Sequence, residues 1–158
     1  MNYPALALML LLLSGSVGYG RSFTETVAFR MAEVAEINAP FSVKVENFGR
    51  RCWFDGQQNE TYCLVESSAY SMHREHTTVL RADAYADWYN KEIVIRPETK
   101  KDVQLIAHEV AHMKLFDEGI PSLENESYHH AREDFWCWEE CLAESYDSHE
   151  DVCGGCRE

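Results

Sequence analysis

The run His108-Glu109-Val110-Ala111-His112 constrains this chain more than any other. It calls for an α-helix, because residues four apart lie one above the other on one helical face. His108 and His112 then aim two imidazoles at one point, and Glu109 stands on the flank of that face. The surroundings support a helix. Lys100 to Phe116 contains neither Gly nor Pro, and Val103, Ile106, Ala107, Val110 and Met113 form an apolar stripe. Leu105, His108, Glu109, His112 and Phe116 form the adjacent stripe. Thr99 reads as the N-cap, with Asp102 at N3 in the manner of a capping box, and Gly119 and Pro121 stop the helix. Only Lys101, Gln104 and Lys114 need water, so the helix is expected to be buried. Two histidines and a glutamate in such a helix need polar partners, and a metal ion would be one. The spacing suits zinc, which takes imidazole nitrogen readily and lowers the pKa of a bound water to about 7. A carboxylate beside that water can take its proton and pass it to a leaving amine.

The 158 residues leave room for one domain, and 46% hydrophobic residues fit a packed core. Residues 1–20 carry no charged side chain. Ala5 to Leu13 is continuously apolar, and Ser14 to Gly20 is rich in small residues. This reads as a signal peptide over 1–20, cleaved after Gly18 or Gly20, ahead of a mature domain over 21–158. A secreted or periplasmic location is expected, without membrane attachment after cleavage. No Lys or Arg precedes the apolar run. The competing reading, an uncleaved anchor, has an apolar core short for a membrane span.

Six cysteines fit an oxidising compartment. Cys52 and Cys63 flank the turn signal Asp55-Gly56, which predicts a hairpin closed by a disulfide. Cys137 and Cys141 lie one helical turn apart, and Cys153 and Cys156 sit near the C-terminus. The nested pairs Cys137–Cys156 and Cys141–Cys153 would staple the tail to a helix, although four cysteines allow three pairings. A structural zinc on these four thiolates is disfavoured by export. A redox pair lacks the βαβ surroundings it needs.

The net charge is −13, and Asp117 to Glu158 holds 13 acidic and 2 basic residues, a local net of −11. Phosphates would be repelled, so no nucleic-acid partner is expected. The tail reads as a solvated acidic surface or, more sharply, as an acidic rim favouring cationic peptides.

Along the chain, Thr24 to Asn38 reads as a helix capped by Thr24. Phe41 to Val45, Thr77 to Leu80 and Ile93 to Arg96 read as strands, and Asp83 to Tyr89 as a loop. His73 and His76 read as surface histidines. Ser122 to Tyr128 reads as a polar loop. Arg132 to Tyr146 reads as a last long helix with Phe135, Trp136, Trp138 and Leu142 in the core. The fold class is α+β: a small sheet packed on the motif helix and one or two further helices, stapled by disulfides.

A catalytic zinc needs a third protein ligand and an open fourth position. Glu140 is the candidate, within Glu140-Cys141-Leu142-Ala143-Glu144 on the last helix, and Glu144 one turn on could orient a ligand histidine. Glu133, Glu139, His129 and His130 compete for the same role. With the two motifs placed, the chain resembles the gluzincin class of zinc metallopeptidases. Their pattern is H-E-x-x-H on one helix followed by E-x-x-[small]-[acid] on a later one. The resemblance covers His108–His112 and Glu140–Glu144, with Glu144 where Asp is more usual. It implies a zincin-like fold, Zn2+ held by His108, His112 and Glu140, and Glu109 as the general base that activates the zinc-bound water. A peptide or protein would be the substrate and a monomer the expected state. Tyr128, His129, His130 and Tyr146 lie where an oxyanion donor could stand. Asn59 and Asn125 begin glycosylation sequons. Other classes stay open: a secreted disulfide-rich binding or inhibitor protein with a structural metal site, or one without metal.

Overall fold

A computed structural model describes residues 20–56, 59–67, 76–120 and 127–157. The expected leader, apart from Gly20, lies outside the described residues. So do His73, most of the Ser122–Tyr128 loop and the sequon at Asn125. No helix among the described residues is long and apolar enough to cross a membrane.

The chain is α+β, with two three-stranded mixed sheets and four α-helices among the described residues. Helix α1 spans Phe23–Val34. It starts two residues earlier than Thr24 suggests, because Ser22 and Glu25 form a reciprocal capping box. Thr24 is instead buried, and its hydroxyl donates to the Lys100 carbonyl at 2.7 Å. Six strands follow: β1 (Ser42–Val45), β2 (Arg50–Asp55), β3 (Glu60–Glu66), β4 (Thr77–Ala82), β5 (Ala84–Asp87) and β6 (Glu92–Ile95). Helices α2 (Val103–Asp117), α3 (Ser127–His130) and α4 (Glu133–Ser148) complete the chain, with a 3-10 turn at Cys153–Cys156.

One sheet has the order β1-β6-β5, with β6 parallel to β1 and antiparallel to β5. The other has the order β2-β3-β4, with β2 and β3 antiparallel and β4 parallel to β3. The sequence reading expected one sheet and a loop over Asp83 to Tyr89. The structure instead has a strand, β5, entered directly from β4 through a bend at Asp83, so the chain steps from one sheet into the other. Arg96 fixes this corner. Its guanidinium pairs with Asp83 at 2.7 Å and Glu66 at 3.4 Å, and also donates to Ser67.

Strand alternation makes three layers. Ile93 and Ile95 join the main core with α1, α2 and α4, while Val94 faces the other way, against Tyr85 of its own sheet and Leu64 of the second. All four residues of β6 are buried, which explains why it reads as a continuous apolar run. Helix α2 thus lies between the β1-β6-β5 sheet and helices α1 and α4, and its polar residues must find partners inside the fold.

All six cysteines are paired. Cys52 and Cys63 sit directly opposite in β2 and β3, closing the expected hairpin. Cys137–Cys156 and Cys141–Cys153 form the nested staple between α4 and the tail.

Candidate metal centre

The motif lies in the middle of α2, as its spacing requires. The cap of α2 is Asp102, whose carboxylate accepts from the Leu105 N–H at 3.1 Å, and not Thr99, which closes a 3-10 turn over Pro97–Thr99. At the other end Gly119 adopts φ 78°, which costs glycine little. The Ile120 N–H then bonds to the Leu115 carbonyl and the Gly119 N–H to the Phe116 carbonyl, at 2.9 Å each, the Schellman closure.

His108 and His112 are joined by His130, the last residue of α3. Nε2 of His130 lies 3.0 Å from Nε2 of His108 and 3.1 Å from Nε2 of His112. One donor atom from each histidine falls within 4.8 Å of the others, a group that can hold a metal ion. Phe135, fully buried, makes the floor: its ring centroid is 5.0 Å from His108, 4.6 Å from His112 and 5.0 Å from His130. The Trp136 indole N–H donates to the His130 carbonyl at 2.8 Å and tethers the end of α3. Trp136 was expected in the core, yet it is exposed at this rim, whereas Phe135, Trp138 and Leu142 are buried as expected.

The outer ring nitrogens have their own partners. Nδ1 of His108 lies 3.0 Å from a carboxylate oxygen of Glu139, whose other oxygen accepts from the Gln104 amide at 2.8 Å. Gln104 and His108 are one turn apart on α2, so one carboxylate spans both. A carboxylate accepts only, hence His108 carries a proton on Nδ1, and its neutral form offers a lone pair at Nε2. Nδ1 of His112 lies 2.8 Å from Nδ1 of His129, and Nε2 of His129 lies 3.0 Å from the Ile120 carbonyl.

Burial disfavours a charge on the other three rings. Burial first, and then the neighbouring imidazoles, holds the His112 pKa well below the ordinary histidine value. Burial also lowers His129, and burial together with His108 brings His130 to about 4. Glu109, 2% exposed, sits beside His108 in the same turn.

The donor set fits zinc. Three nitrogens held about 2.0–2.1 Å from a tetrahedral zinc stand roughly 3.3 Å apart, close to the 3.0 and 3.1 Å between His130 and its two neighbours. Donor atoms this close together are satisfied together by a cation, whereas a single proton on His130 reaches one neighbour.

The structure does not bring Glu140 to this group. Glu140 is exposed, and so are Glu133 and Glu144, the latter expected behind a ligand. The reason is helical phase. Phe135, Trp138, Glu139 and Leu142 form the buried stripe of α4, and one further residue turns the side chain by about 100° into solvent. Glu139, weighed as a ligand, supports His108 from outside the group. His129, also weighed, lies behind His112. His130 is the competitor that joins the two motif histidines. Tyr128 is exposed and Tyr146 packs at the edge of the core. The useful sequence signal was the apolar stripe of α4, which contains Glu139 and excludes Glu140. Comparison of the chain with protein-family models, with curated proteins and with solved structures returns no match.

Proposed function

We propose that this protein is an exported zinc-dependent peptide hydrolase, with His108, His112 and His130 as the metal ligands and Glu109 as the general base. The observation that carries the reading is the convergence of three Nε2 atoms beside a buried glutamate on the same helical turn. Three protein donors are the ligand count of a catalytic zinc, and structural zinc sites are closed by four. The His108 side chain is 21% exposed, so the group lies within reach of solvent and substrate.

When bound, zinc would polarise a peptide carbonyl and lower the pKa of a coordinated water to about 7. Glu109 would take a proton from that water and deliver it to the leaving amine. Glu139 would hold His108 with its Nε2 lone pair inward. Phe135 would keep the three rings from turning and exclude water from beneath them. The disulfides suit a chain working outside the reducing cytosol. A zincin-like mode of substrate binding, with an extended peptide along a sheet edge, belongs to the same proposal.

The test compares the oxidised chain with Glu109→Gln for zinc content and for hydrolysis of a mixed peptide library. The expected result is one zinc per chain in both and cleavage in the parent only. Zinc in both without cleavage in either would point to a structural metal in a binding protein. No zinc in either would overturn the metal reading.

A further inference from the structure

The chain behind His112 extends past any residue that would touch a metal. We infer that His129 is a positioning residue: it fixes the tautomer of His112 so that Nε2 of His112 is an available donor. The inference rests on the metal-centre reading but is carried by hydrogen-bond polarity alone.

The hydrogen-bond chain runs from the end of α2 inward. Gly119 in its left-handed conformation lets the helix close on the Ile120 N–H, which sets the direction of the next carbonyl. That Ile120 carbonyl lies 3.0 Å from Nε2 of His129. A carbonyl accepts only, so Nε2 of His129 must carry the proton, and a neutral His129 is then an acceptor at Nδ1. Nδ1 of His112 is 2.8 Å away and must donate into it. The remaining nitrogen of His112, Nε2, is left as a lone pair facing His130 and His108.

Each step removes a choice. A neutral histidine without a partner prefers its proton on Nε2, the wrong arrangement for a ligand at that atom. His112 is fully buried, away from bulk solvent. His129 is itself fully buried and held by Phe116, with ring centroids 4.6 Å apart, so it cannot swing away from its task. The two motif histidines are therefore oriented by different chemistry: His108 by an anionic carboxylate, His112 by a neutral ring anchored on a backbone carbonyl. Outer partners of this kind are worth about 10–100-fold in metal affinity.

The experiment uses the oxidised chain and two variants. His129→Asn keeps an oxygen near the position of Nδ1, able to accept from His112. His129→Phe keeps a ring against Phe116 and offers no acceptor. The first readout is the long-range proton–nitrogen spectrum of the metal-free protein, which reports the tautomer of His112 directly. The second is zinc affinity by chelator competition, with apo unfolding temperatures showing that each variant is folded. The expected result is an Nδ1–H tautomer of His112 in the parent and in His129→Asn, with zinc affinities within about threefold. In His129→Phe the Nε2–H form should appear and zinc should bind about 10–100-fold more weakly. An unchanged tautomer in His129→Phe, or equal loss of affinity in both variants, would overturn the inference. If the parent binds no zinc, the metal reading fails separately and the spectra still decide the role of His129.

Discussion

Replacing His130 by Ala and, separately, Glu140 by Ala puts the ligand set to a quantitative test. A zinc ion held by four protein ligands contributes an apparent 10–16 kcal/mol, roughly 2.5–4 kcal/mol per ligand. In the proposed centre His130 would supply one of three nitrogens, so its loss should weaken zinc by about 3 kcal/mol or somewhat more. At about 1.4 kcal/mol per decade this is on the order of a hundredfold to a thousandfold in Kd. Glu140 is exposed on α4 and touches none of the three histidines, so its truncation should change Kd by less than about twofold. The assay is competition with a chromophoric chelator of known zinc affinity, at pH 7.4, on the oxidised protein. The apo forms should unfold at similar temperatures, because neither residue fills the apolar core. The reasoning is refuted if Glu140→Ala loses zinc while His130→Ala keeps it, or if both lose it equally. Either result would require α4 to rotate by a residue relative to α2, and with it the Glu139 contact to His108.

The fold offers three further tests. Converting Cys141 and Cys153 to Ser opens a loop of 12 residues and should cost about 3 kcal/mol in denaturant unfolding, with the hairpin disulfide untouched; a loss below about 0.5 kcal/mol would mean that the outer Cys137–Cys156 bridge suffices. Leu142→Ala removes a fully buried side chain between α4 and the other helices and should cost about 2–5 kcal/mol, seen as a fall in the apo unfolding temperature. Asp83 accepts from Ser67 and pairs with Arg96, which hold its carboxyl below the ordinary range. A folded-state pKa lowered in this way stabilises the fold above the ordinary carboxylate value and stops doing so as pH falls through the lowered one. Asp83→Asn should therefore be less stable than the parent at pH 6, with the gap closing in acid; a gap constant with pH would exclude ionisation of Asp83 as its source.

What was legible in the sequence follows from how local each signal is. The motif helix, the hairpin closed by Cys52–Cys63 and the apolar strand β6 are set by residues within a few positions of one another, and each stands where its pattern places it. Strand β5 was missed because Ala84-Tyr85-Ala86-Asp87 has weak strand composition. It is held by pairing with β6 and by Arg51 of β2, which reaches Tyr85 and Asp87. The third member of the histidine group was harder for a related reason. Glu139 and Glu140 are adjacent carboxylates, and motif reading favours the one with the familiar spacing to Ala143. Burial periodicity favours the other: Glu139 shares its face with Phe135, Trp138 and Leu142, and that face meets α2. Once Glu139 is turned toward Nδ1 of His108 it lies on the outer side of that ring, away from Nε2 where the three histidines meet. A metal held at Nε2 then needs its remaining donor from outside α4. The short helix α3 would supply it, in a His-His pair whose first ring lies behind His112 and whose second faces the same point as His108 and His112. In the proposed centre, two neighbouring histidines would thus divide two tasks that the sequence had offered to a single glutamate and its companion one turn later.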